Sequence, residues 1–205
     1  MLAEMKLSEF LEKTASNKPV PGGGSVAAMS AATAAALTEM VANLTIGKKK
    51  YIEVEEEMKS IAQTVKELRK KLVEAIDRDA EAFNGVMSAF KMPKNTEEQV
   101  DLRKIQIQNN MKKAALVPLE VAKDAFSMMG MISSITEKGN KNAVTDAAVA
   151  AMMARTAVLS ALYNVRINLA SIKDQEFVEK ISLKASELET KIVEEEKKIL
   201  SKVEL

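Results

Sequence analysis

Apolar residues recur along this chain with a helical period and almost never alternate. Leu72, Ile76, Phe83 and Met87 share one face at about 100° per residue, with charged positions between them. Helix formers dominate nearly every window, and only four prolines and seven glycines interrupt the chain. The pattern predicts an all-α, orthogonal-to-up-down bundle of about six helices, read as a single domain over residues 1–205. A first helix spans Ser8–Ser16 and ends ahead of Pro19. A second runs from Ser25 to Ile46 and stops at Gly47. A third runs from about Tyr51 to Phe90. A fourth starts at Thr96, where Gln99 completes a capping box, bends at Pro118 and continues towards Ser134. A fifth follows the polar loop Lys138–Asn142 and spans Thr145–Leu169. A sixth opens at Asp174, a capable N-cap, and runs towards the C-terminus.

One charge breaks the pattern of the third helix. Asp79 completes the series 72, 76, 79, 83 on the apolar face, whereas Asp77 falls on the polar side with Glu74 and Glu81. Asp77 is therefore expected to be solvated, and Asp79 buried or facing an internal cleft. Burial raises a carboxyl pKa and makes the group useful for acid–base work near neutral pH. It also suits a structural carboxylate that holds two helices in register. Asn43, Arg155, Asn164 and Asn168 likewise sit in apolar helices and require partners, either another helix or a ligand.

A second break precedes the second helix. Pro21-Gly22-Gly23-Gly24-Ser25 leads into a run of small residues. A glycine turn at a helix N-terminus presents free backbone N–H groups and partial positive charge, which suit an anion or an acceptor-rich heterocycle. The same glycines would also let two helices join tightly. Lys48-Lys49-Lys50 follow the other end of that helix, either as a solvated basic turn or as a docking point for an acidic tail. Asp146 reads as a helix N-terminal group.

Composition narrows the chemistry. The chain has no cysteine and no histidine, which removes thiol nucleophiles, Ser-His-Asp triads and His- or Cys-ligated zinc. Net charge is +1, so a general nucleic-acid binder is not expected. The apolar run near 143–165 is broken by Asp146, Arg155 and Asn164, so no membrane span is expected either. No secretion signal opens the chain, which points to the cytoplasm.

The segments Pro21–Ala28, Met40–Tyr51, Asp77–Phe83, Met92–Thr96, Thr145-Asp146 and Tyr163–Leu169 run in order across almost the whole chain. Together they resemble the C-terminal domain of the formiminotransferase-cyclodeaminase family, which also occurs as a stand-alone protein. The resemblance implies an all-helical homodimer that binds a folate, including polyglutamylated forms, with no cofactor beyond tetrahydrofolate and no metal. It places the acid–base aspartate on Asp79. Substrate contacts are then expected from Gly22, Gly23, Gly24, Ser25, Asn43, Lys48, Lys49, Asp146 and Asn164. The implied reaction is conversion of 5-formiminotetrahydrofolate to 5,10-methenyltetrahydrofolate and ammonia. Some stand-alone members resemble methenyltetrahydrofolate cyclohydrolases instead. A helical folate-binding protein or scaffold without turnover is the third reading. Only some twenty residues precede the glycine turn, so no formiminotransferase domain is expected.

Overall fold

The computed structural model describes residues 1–204. These residues are 84% helical, with no strand among them. Seven α-helices follow in order: α1 (Leu7–Thr14), α2 (Gly23–Thr45), α3 (Glu55–Phe90), α4 (Glu97–Ser127), α5 (Met129–Lys138), α6 (Val144–Leu169) and α7 (Gln175–Leu200). Short 3₁₀ turns at Leu2–Glu4, Lys49–Val54 and Lys141–Ala143 join them.

Most boundaries follow local chemistry. Thr96 caps α4 by accepting the Gln99 N–H, while Gln99 reaches back to the Asn95 N–H, one residue earlier than a standard capping box. Asp174 caps α7 through the Phe177 N–H. Gly47 takes the positive φ of 77° that ends the α2 segment. Pro118 does not end α4. The break falls ten residues later at Met128, whose N–H bonds back to Ala125 in a tightened turn before α5 begins. Met128 and Met129 are buried, so the core takes hold of the chain where the helix changes direction.

α2 and α6 form the centre. Gly23 lies against Asn164, and the Asn140 side chain just before α6 donates to the Leu44 carbonyl, so the two helices are antiparallel. Ala27, Ala28, Ala31 and Ala34 on α2 and Ala147, Ala150, Ala151 and Ala154 on α6 are fully buried. Such small side chains let helix backbones approach closely. By length and composition α2 and the Lys141–Leu169 segment could each cross a membrane, yet here much of their surface is core. α3 packs along α2, α4 covers α3 and α6, and α7 closes the other side of α6.

Asp77 departs from the expected solvated position. It is half-buried, and its two carboxylate oxygens accept the Leu2 and Ala3 N–H groups at 2.5 and 3.1 Å. It thus caps the first turn of the chain from α3, a role invisible to helix periodicity because its partners lie 74 and 75 residues away.

Candidate active site

The apolar stripe of α3 leaves the core at Asp79. Leu72 and Ile76 are buried, Asp79 and Phe83 are half-buried, and Met87 is 40% exposed. Beyond Asp79 the stripe therefore lines a cavity of about 430 Å³ instead of packing against another helix. That volume lies within the ~300–1,000 Å³ typical of small-molecule sites. Phe83, Val86, Met87 and Phe90 form one wall, with Met111 and Ala114 of α4 beside them. Asn164, Ile167 and Asn168 of α6 and the following Ser171 form another, and Pro19, Val20 and Gly22–Gly24 close it. Among the described residues, Asp79 is the single ionisable side chain lining this cavity.

Helix α2 starts without a side-chain cap, because Gly22 stands at its N-cap position. The missing acceptor comes from α3. Ser25 is fully buried, and its Oγ lies 3.0 Å from Asp79 Oδ2 and 3.0 Å from the Ile76 carbonyl. Asp79 thus supplies the carboxylate that the free N–H groups and dipole of α2 favour. Gly24 makes the approach possible, since a Cβ there would overlap the Asp79 carboxyl group. The close approach, not an unusual φ, is what requires glycine.

Burial pushes the Asp79 carboxyl above the usual carboxylate range, and hydrogen bonds from the Ser25 hydroxyl and backbone N–H partly oppose that rise. Burial thus favours the neutral carboxyl and the Ser25 hydrogen bonds favour the charged one, at the floor of a mostly apolar cavity. Asn164 Nδ2 donates to the Ser160 carbonyl one turn earlier, leaving its oxygen as an acceptor beside Gly23. Asn168 is anchored to the Ala114 carbonyl of α4. Arg155 pairs with Glu196 of α7 at 3.0 Å and takes no part in the cavity.

The expected site residues divide into two groups. Gly22, Gly23, Gly24, Ser25, Asp79 and Asn164 meet at one end of the α2–α6 pair. Asn43, Lys48, Lys49 and Asp146 gather at the other end and do not line the cavity. From Gly24 to Asn43 the helix rises ~29 Å, at about 1.5 Å per residue. Within one chain the lysines therefore cannot reach a ligand group bound at Asp79. Phe90, Met111, Ile167 and Ser171 were not singled out by the sequence pattern; the first three belong to ordinary amphipathic faces and Ser171 to the turn after α6, and only the gap between helices makes them walls.

The family model described as formiminotransferase-cyclodeaminase matches residues 6–187. A methenyltetrahydrofolate cyclohydrolase from Methylorubrum extorquens is 41% identical over 179 residues, 87% of this chain and 86% of that protein. The formimidoyltransferase-cyclodeaminase of Rattus norvegicus is 33% identical over 91% of this chain, which spans 35% of that longer protein. The crystal structure of formiminotetrahydrofolate cyclodeaminase from Thermotoga maritima superposes with a TM-score of 0.88 at 34% identity, covering 99% of this chain and 98% of that one. This chain belongs to the formiminotransferase-cyclodeaminase family.

Proposed function

We propose that this protein works on the single carbon held between N5 and N10 of a tetrahydrofolate, with Asp79 as its acid–base group. The observation that carries the reading is a lone carboxyl of raised pKa on the floor of an otherwise uncharged cavity. The methenyl group of 5,10-methenyltetrahydrofolate is a cation, which a carboxylate attracts, while the apolar walls suit the flat rings. Asn164 and the Gly22–Gly24 backbone offer hydrogen bonds to the heterocycle.

The leading reaction is methenyltetrahydrofolate hydrolysis, favoured over the sequence-based expectation by the 41% identity of the full-length cyclohydrolase relative. The Asp79 carboxylate takes a proton from water as the oxygen adds to the methenyl carbon. The protonated carboxyl returns it to N5 as the carbon–N5 bond breaks. The adduct hydroxyl loses its own proton to solvent, so 10-formyltetrahydrofolate forms with release of one net proton. No cofactor beyond the folate is required. The second reading, cyclodeamination, is favoured by the Thermotoga structure. There the formimino group enters as its protonated amidinium; Asp79 takes the proton from N10 as N10 closes on the formimino carbon and gives it to the resulting amino group, which leaves as ammonia and leaves the methenyl cation. The methenyl absorbance follows both reactions. Accelerated loss of methenyl absorbance without ammonia release from the formimino compound would establish hydrolysis; the converse would establish cyclodeamination; neither would sink the enzymatic reading.

The working form in this reading is a two-fold dimer. Met40 and Leu44 of α2 and Val149, Met152, Tyr163 and Ile167 of α6 are 37–70% exposed, forming an apolar face along the antiparallel pair. A face of this kind is a liability unless covered. A two-fold axis across it would run the partner's α2 antiparallel. That arrangement would bring the partner's Asn43 and Lys48–Lys50 end towards the cavity mouth, within reach of the glutamate tail.

A further inference from the structure

We propose that Ser25 is the positioning residue that lets one carboxyl serve as both base and acid, through a hydroxyl that turns between two acceptors. This rests on the reading of Asp79 as the proton carrier. The Ser25 hydroxyl has one proton and two oxygen neighbours at equal distance, Asp79 Oδ2 and the Ile76 carbonyl, each at 3.0 Å. It can donate to only one of them at a time. When Asp79 is ionised, the hydroxyl proton points to Oδ2 and stabilises the charge. The Ile76 carbonyl keeps its place in the α3 hydrogen-bond ladder and is not orphaned. When Asp79 is protonated, the carboxyl O–H donates to Ser25 Oγ, and the hydroxyl proton turns to Ile76.

Both states keep Ser25 Oγ, Asp79 Oδ2 and the Ile76 carbonyl hydrogen-bonded, and the 3.0 Å distances allow the exchange without moving a heavy atom. The proton can therefore arrive at and leave Asp79 without reorganising the site, which keeps the barrier contribution of the surroundings small. Ser25 is fully buried, so solvent does not compete for its proton.

Among the described residues no other titratable group shares this arrangement. On α3, Arg78 turns away to Glu120 of α4, and Asp77 is engaged by the N-terminal turn. Helix α6 presents neutral Asn164, α4 presents Met111 and Ala114, and the first turn of α2 carries no charge.

The test is an infrared difference titration of the free protein, in which Asp79→Asn identifies the Asp79 bands. Ser25→Ala should raise the proton affinity of Asp79 by up to roughly tenfold, because the charged form loses a stronger hydrogen bond than the neutral form does. Its protonated C=O stretch should move to higher frequency as the carboxyl loses its acceptor. Ser25→Cys, which is slightly larger and keeps a weaker donor, should fall between, and it serves equally if the alanine variant does not fold. An unchanged midpoint and an unchanged stretch in either folded variant overturn the proposal and leave Ser25 a packing residue. The titration needs no substrate, so it decides the role of Ser25 even if the protein turns over neither folate. If turnover is found, the acid limb of the rate profile should move upward with the infrared midpoint.

Discussion

Gly24 and Asp79 occupy one space: a methyl group on Gly24 would overlap the carboxyl carbon and both carboxylate oxygens of Asp79. Two helices are thereby joined at the point where the first has free N–H groups and the second carries a carboxylate on its apolar face.

Gly24→Ala tests that fit. Alanine is ordinarily favoured over glycine in a helix, yet here it should destabilise by about 1–3 kcal/mol through overpacking. In an Asp79→Ala background the same change should cost far less, because the obstructing group is gone. Denaturant unfolding of the two single variants and the double variant measures the coupling. Additive costs would show that Gly24 is present for another reason.

Asp79→Asn should keep the fold and lower turnover by ~10²–10⁴-fold, the usual loss for a general acid–base group. Asp77→Ala should leave turnover within a few-fold of the parent and instead destabilise by about 1 kcal/mol, as for loss of a helix cap. Faster amide exchange at Leu2 and Ala3 would localise that effect. Equal activity losses in the two variants would remove Asp79 from its proposed role.

The raised Asp79 pKa also sets a direction for stability against pH. Between the ordinary carboxylate range and the folded-state pKa, the native protein holds a proton that the unfolded chain has released. Stability contributed by this group is therefore full at low pH and falls as pH rises through the folded pKa. Asp79→Asn cannot ionise, so it should melt a few degrees higher than the parent at pH 8, with a gap that closes on acidification. For a chain of this length ~1 kcal/mol corresponds to about 2–4 °C. A gap that widened in acid would reverse the assigned sign.

The proposed dimer makes a linked pair of predictions. The parent protein should sediment at about twice its chain mass of 22.4 kDa. Met152→Glu, placing a charge on the exposed α6 face, should yield a folded monomer with a much higher Michaelis constant. Neutralising Lys48, Lys49 and Lys50 together should weaken polyglutamylated substrates by roughly two- to fivefold more than monoglutamate, fading with salt. A parent that is monomeric and fully active would dispose of the partner contribution.

Periodicity and end signals alone were enough for the helical class and most helix positions, because both are local. Thr96, Asp174 and Gly47 act within a few residues of where they stand, and each does so here. Periodicity also separated Asp79 from Asp77, since faces on one helix depend only on spacing. What lies against a face depends on residues far away in the chain, and that the tertiary structure alone decided. It set Asp77 on the Leu2–Ala3 turn, put the N-terminus of α2 on Asp79, and opened a cavity where the Phe83–Met87 stripe lost its neighbour. It broke the fourth helix at buried Met128 and left Pro118 inside it. It also sent Asn43, Lys48, Lys49 and Asp146 to the far end of α2 from Asp79, because a rigid helix separates its two ends by its own length.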